Sequence, residues 1–311
     1  MTQTTVGFIT AVLAAAVQAG TPLLYAALGE ILTERVGILN LSVEGIMLVG
    51  AVSGFLATVA TKNLAAGILG AAIAGGIIAA IHAFLSVSLK VNQVVSGLSL
   101  SLFATGVSGY LGKPIIGVAA PVSFKPHPIP GLSKIPILGP MFFKHNLLVY
   151  GSYFLVAFLW YFLYKTRPGL HMRSVGESPR TSDSLGISVT AVQYVYTIIG
   201  GALSGIAGAY LSLAYAPSWI EQMTAGRGWI AIALVIFAVW NPLRAMVGAY
   251  LFGGIEALGF RIQVVGATIS PIVLKMMPYI FTIAVLIITT ARSATYKTEA
   301  LQALGVPYER E

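Results

Sequence analysis

The chain has 311 residues, of which 57 % are hydrophobic and only 9 % charged, and its mean hydropathy is +0.87. A soluble domain carries roughly 25 % charged residues, so the composition excludes a water-soluble globule and points to an all-α polytopic membrane protein. The net charge is +8; because the cations lie between apolar runs, that charge reads as membrane orientation, with no nucleic-acid partner.

Taken in chain order, the first apolar run, Val6 to Leu28, exceeds the 20 or so residues that cross a bilayer and follows no cationic segment. It reads as a true span, not a cleaved signal peptide. Further spans are expected near 37–60, 64–89, 92–112, 146–164, 191–216, 227–241, 244–260 and 276–292, about nine transmembrane helices in all. The segments 92–112 and 227–241 are rich in Gly, Ser or polar ends and are candidates for broken or re-entrant helices. Residues 262–275 read as a short half-helix ending at Lys275. Glycines recur inside the runs, and Gly50-x-x-x-Gly54 and Gly201-x-x-x-Gly205 fit close helix packing.

A single transmembrane domain, 1–311, is expected, with a first half 1–112, an outer loop 113–145 and a linking span 146–164. A cytoplasmic loop 165–190, a second half 191–292 and a cytoplasmic tail 293–311 follow. The loop carries Lys165, Arg167, Arg173 and Arg180, and the tail Arg292, Lys297 and Arg310. Placing both in the cytoplasm puts the N-terminus outside and seven of nine arginines inside, although the outer loop then holds Lys113, Lys125, Lys134 and Lys144. Seven of the fifteen prolines fall in that loop, which excludes a regular helix or central strand and suggests an extended cap. Spans one to four and six to nine run in opposite senses, as in an inverted repeat with a substrate path at the repeat interface.

In the cytoplasmic loop, Ser178 suits an N-cap, Pro179 the first helical position and Gly186 a left-handed helix end. The result is a polar helix of two turns, roughly 10 Å long, standing between two spans. It reads as a docking knob for a cytoplasmic partner or as a solvated loop.

Ionisable and amide groups inside spans are costly and mark function or packing. Asn40 and Glu44 stand four apart in the second span, at i and i+4, and so share one helical face. They suit hydrogen bonding to sugar hydroxyls or base N–H groups, or else Glu44 caps or pairs with a neighbouring span through Arg35 or Arg227. Glu256 lies within span eight, five residues from Arg261 and badly spaced to pair with it. Asn92, Gln93 and Ser96 open the fourth span and border either a wet path or a helix contact. Trp219, Trp229 and Trp240 fit interfacial belt positions, and His82 a buried, hydrogen-bonded group. There is no cysteine and no histidine pair at metal-ligand spacing; Gly112-Lys113 lacks the rest of a nucleotide-binding loop. No Ser/Lys, Asp/Asp or metal constellation supports an enzyme.

The runs Gly37 to Ala51 and Asn92 to Gly97 resemble the permease subunits of bacterial ABC importers for ribose and branched-chain amino acids, closest to the nucleoside-uptake branch. Arg173 to Gly186 is similar to that family's coupling segment, and Ala225 to Pro242 to its second-half signature. Ribose-type members carry one additional first span, which makes the first span here the family's second helix. The resemblance implies a multi-pass protein of the bacterial cytoplasmic membrane that moves nucleosides, or a sugar such as ribose, by alternating access. It implies a sister permease in a heterodimer, a cytoplasmic ABC ATPase and an extracytoplasmic substrate-binding lipoprotein. No cofactor is expected in this chain, ATP and Mg being used by the ATPase. Glu177, Ser178, Pro179, Arg180, Thr181, Asp183, Leu185 and Gly186 are then the ATPase-docking helix. Asn40, Glu44, Asn92, Gln93, Ser96 and Glu256 are candidates for the substrate path. A stand-alone proton- or ion-coupled transporter using Glu44, Glu256 and His82 is the alternative of another class.

Overall fold

A computed structural model of the chain describes residues 2–264, 273, 276–284, 287 and 301–309. Among these the structure is helical, with one isolated antiparallel bridge, Ala119 to Ser218. In chain order the helices are α1 (Thr2–Glu34), α2 (Val43–Thr61), α3 (Leu64–Ala83), α4 (Gln93–Gly112), α5 (Leu138–Phe142) and α6 (Leu147–Lys165). They continue with α7 (Arg167–Glu177), α8 (Pro179–Ser184), α9 (Val189–Tyr210), α10 (Arg227–Ala238) and α11 (Pro242–Val264). Both α3 and α9 end in a π-helical turn, Phe84–Ser88 and Leu211–Tyr215.

Seven helices among the described residues are long and apolar enough to cross a membrane: α1, α2, α3, α4, α6, α9 and α11. The chain is an all-α, multi-pass membrane protein. Two expected spans differ. The segment 227–241 supplies only the twelve residues of α10, about 18 Å, which falls short of the roughly 30 Å hydrocarbon core. The segment 37–60 becomes helical only at Val43. The segment 92–112, in contrast, is one continuous helix. Residues 276–284 are helical. The remainder of the expected span 276–292 apart from Ile287, most of the half-helix 262–275, and Lys275, Arg292, Lys297 and Arg310 lie outside the described residues.

Helices α1, α2, α3 and α9 make the centre, and glycine lets them meet. A Cβ on Gly205 would lie 2.2 Å from the Ala71 carbonyl of α3, and one on Gly50 would lie 2.2 Å from the Gly205 carbonyl. No side chain fits there without parting the helices. Gly205→Leu is expected to cost roughly 3 kcal/mol or more, read as a large fall in monodisperse protein after detergent extraction. Unchanged recovery would contradict this packing. The outward faces are the apolar ones: Leu102 is 76 % and Phe154 73 % exposed, whereas Glu30, Glu34, His82, Gln93 and Gln193 are buried. That inversion of the soluble pattern is what a lipid solvent selects.

The proline-rich stretch lies against the end of α9, with Phe124 N–H on Leu213 O and Ala120 N–H on Pro217 O, both at 3.0 Å. It is largely extended but contains the five-residue helix α5. Pro140 is tolerated there because it sits in the first turn, where its missing N–H has no intrahelical acceptor. His145 anchors this cap: it is buried, and its Nε2 donates to Met141 O at 2.7 Å. Burial holds its pKa below the ordinary 6.5. Protonation therefore favours the opened cap, and stability is lost as pH falls below the unfolded value. Amide exchange in 125–146, corrected for intrinsic rates, is expected to rise between pH 7 and 5, and His145→Gln to flatten that rise. A pH-independent profile would argue against the histidine.

Candidate functional site

Helix α1 ends in a left-handed turn at Gly37, φ +86°, with Ile38 N–H on Thr33 O at 3.2 Å and Gly37 N–H on Glu34 O at 2.8 Å. The chain then leaves the helix and runs unwound through 38–42 before α2 starts. This stretch is largely buried, so its backbone groups require partners from elsewhere. Side chains of four other turns supply them. Gln93 Oε1 accepts from Leu39 N–H at 2.7 Å, and His82 Nε2 donates to Leu39 O at 3.1 Å. Glu30 Oε1 accepts from Asn40 N–H at 3.1 Å, and Gln193 Nε2 donates to Val36 O at 3.2 Å. With the Nε2 proton on Leu39, His82 Nδ1 accepts from the Ser96 hydroxyl at 3.1 Å.

Asn40 Oδ1 turns forward to accept from Ser42 N–H at 3.0 Å and from the Ser42 hydroxyl. Because Gly37 takes the chain off the helix and α2 begins only at Val43, Asn40 and Glu44 do not share a helical face. That corrects the expectation from their spacing.

Glu44 belongs to a second network. Its Oε1 accepts from the Thr224 hydroxyl at 2.6 Å and from Gly226 N–H at 2.8 Å; its Oε2 accepts from Gly228 N–H at 2.6 Å. These are the first free amides of α10, so the carboxylate caps that helix and complements its dipole. Gly228 has to be glycine for this approach, since a Cβ there would lie 2.5 Å from Glu44 Cα. At the same turn, Arg227 pairs with Glu256 of α11 and lies 5.7 Å from the centre of the Tyr215 ring. Tyr279 O–H donates to Ala225 O at 2.9 Å. Neither Arg35 nor Arg261 is the partner of these acids: Arg35 donates to Tyr164 Oη and Trp240 O, and Arg261 lies over the Phe8 ring.

The structure thus brings Asn40, Gln93 and Ser96 into one network and Glu44 and Glu256 into another. Asn92 joins neither: it is exposed and caps α4, accepting from Val95 N–H at 3.1 Å. Two acids that sequence reasoning passed over complete the site. Glu30 and Glu34 lie one turn apart at the end of α1, both buried. Their signal was present, since acids four apart within an apolar helix share a face, but the span had been closed at Leu28. Glu34 Oε2 accepts from the Trp240 indole at the corner between α10 and α11. Trp240 is therefore a buried donor and Trp219 is fully buried against Gly112, neither being an interfacial belt residue; Trp229 is 38 % exposed. Chemically, the arrangement clamps two unwound approaches, 38–42 and 216–226, to helices whose N-termini meet at Glu44. Among the described residues no group of His, Asp and Glu gathers as a metal site.

At one end of the bundle, Ser178 and Pro179 start α8 and Gly186, φ +81°, ends it, with Gly186 N–H on Asp183 O at 2.9 Å and Ile187 N–H on Ser182 O at 3.0 Å. The Ser178 hydroxyl bonds the Thr181 hydroxyl at 2.7 Å and caps no amide. Glu177, Arg180 and Thr181 are exposed, and Leu185 is 75 % exposed just past the helix. The element is not isolated. It follows α7, which Thr166 caps through Gly169 N–H at 3.2 Å, and residues 301–309 lie beside it.

The chain matches the permease component of branched-chain amino acid transport systems over residues 11–290. It is 42 % identical to a putative glucose ABC transporter permease protein, TsgC13, of Haloferax volcanii, over 98 % of this chain and 99 % of that one. It is 34 % identical to the nucleoside ABC transporter permease protein NupC of Lactococcus lactis, over 90 % and 92 %. It is 33 % identical to the guanosine ABC transporter permease protein NupQ of Bacillus subtilis, over 92 % of both. No solved structure matches it. With its multi-pass bundle and these matches, the chain belongs to the ABC transporter permease family of branched-chain amino acid transport components.

Proposed function

We propose that this chain is the pore-forming permease subunit of an ATP-driven importer for nucleosides, acting by alternating access. A permease component is not itself the ATPase, so ATP and Mg are used by a partner bound at α8. The single observation that carries the docking reading is α8 with Leu185: a short helix opened by Pro179 and ended at Gly186, presenting an exposed leucine at one end of the bundle. The arginine distribution favours that end in the cytoplasm and the proline-rich cap outside, where a substrate-binding lipoprotein would deliver solute. A sister permease would complete the pore. The two unwound approaches meeting at Glu44 suit a path in which helices rock about a fixed midplane junction. Asn40, Gln93, Ser96 and Glu44 hold that junction, and solute passes beside it.

Nucleosides are preferred on the similarity to two permeases named for nucleoside and guanosine transport. The similarity to a putative glucose permease supports a second reading, a sugar importer. The test is purification of the tagged chain from native membranes, identification of what accompanies it, and uptake of guanosine, uridine, ribose and glucose into vesicles holding the recovered complex. ATP-dependent guanosine uptake supports the reading, and glucose uptake alone replaces it with the sugar importer. A chain recovered alone and active without ATP would make it a secondary transporter.

A further inference from the structure

We infer that residues 301–309 are a transmission strap joining the docking helix to the unwound segment ahead of α2. The inference rests on the reading of α8 as the ATPase contact. Four anchors define the strap. Ala303 N–H donates to Gly176 O of α7 at 3.1 Å, and Gly305 N–H donates to Gly37 O at 3.1 Å. Tyr308 O–H donates to Asp183 Oδ2 of α8 at 3.1 Å, and Glu309 pairs with Lys90, between α3 and α4, at 3.3 Å. Leu301 and Ala303 are buried, so the near end is seated by packing as well as by hydrogen bonds. Gly305 takes φ +78°, which turns the strap from Gly37 toward α8.

The geometry makes a short mechanical route. Asp183 reaches Gly37 through Tyr308 and three intervening residues of strap. Gly37 is the residue at which α1 ends and the unwound segment held by Gln93, His82 and Glu30 begins. A displacement of α8 is therefore delivered to the break itself, as well as to α7 and the α3–α4 corner. Clefts of about 400 Å³ open on either side of Tyr308, one beside Val87 and Ile187 and one beside Arg180 and Pro307.

The experiment uses the complete complex in vesicles, measuring ATP hydrolysis and uptake of whichever of guanosine, ribose or glucose the parent complex takes up. Tyr308→Phe removes the hydroxyl and keeps the ring; a second variant ends the chain after Ala300. The solute moved per ATP is expected to fall about three- to tenfold for Tyr308→Phe and further for the truncation, with ATPase recovery and hydrolysis within about twofold of the parent. An unchanged ratio in Tyr308→Phe overturns the strap, including when the truncated chain fails to accumulate. If the parent chain recovers no ATPase, or Leu185 and Arg180 variants leave ATPase binding intact, the docking reading has failed. That result is distinct from a normal complex with an unaltered ratio.

Discussion

Replacing Glu44 by leucine is expected to remove most of the folded protein, whereas glutamine is expected to leave it in the membrane with transport reduced at least tenfold. Glu44 accepts three hydrogen bonds, two of them from free amides at the start of α10. A leucine leaves the Thr224 hydroxyl and the Gly226 and Gly228 amides without acceptors in a buried place. Each such loss costs about 1–3 kcal/mol, and the bonds are strengthened by the carboxylate charge. Glutamine retains one acceptor oxygen but turns its amide nitrogen toward a donor, either Gly226 or Gly228. The helix start is then held on one side only. Thermal unfolding in detergent and uptake together check this. A Glu44→Gln chain with parent stability and altered solute preference would show instead that the carboxylate reads the solute directly.

The second large effect is at the docking helix. Leu185→Asp is expected to abolish ATP-dependent uptake, by two orders of magnitude or more, with the amount of membrane protein unchanged. The side chain is 75 % exposed, so nothing in this chain depends on its packing. An exposed leucine beside the turn at Gly186 suits an apolar socket on a partner, and an aspartate there would bury an unpaired charge. Co-purification of the ATPase is expected to fall in parallel. Retained ATPase with normal uptake would remove Leu185 from the interface. Reversal of both Arg180 and Asp183 is expected to act in the same direction, although Asp183 also holds Tyr308.

The ends of α8 were readable because they are local chemistry. Ser178-Pro179 and Gly186 state a start and a stop within nine residues, and neither depends on distant contacts. The long spans were readable for the same reason, since apolar run length is a local property. What escaped was set by partners far along the chain. Nothing around Gly37 announces that the chain unwinds there for five residues, because the acceptors and donors that make this tolerable are, besides Glu30 of α1, His82, Gln93 and Gln193 on other helices. Glu44 stood out as an intramembrane acid, but its role depends on amides about 180 residues away. Trp240 looked interfacial by type and proved to be the donor for an acid 206 residues earlier. Helix α7 was missed because Thr166 and Pro168 were read as loop residues, although they are an N-cap and an early helical proline.

The separation between Glu34 and Trp240 also bears on how the protein is made. Helix α1 enters the membrane ahead of α10 and α11, carrying Glu30 and Glu34 among its last residues. The Asn40 amide that serves Glu30 follows at once, but the indole that serves Glu34 and the α10 amides that serve Glu44 emerge only after two thirds of the chain. Until then Glu34 and Glu44 lack these donors. The contacts that tie α1 and α2 to α10 and its end therefore form only once α10 has been made. Any delay before α10 lengthens the interval in which quality-control proteases meet an unfinished bundle.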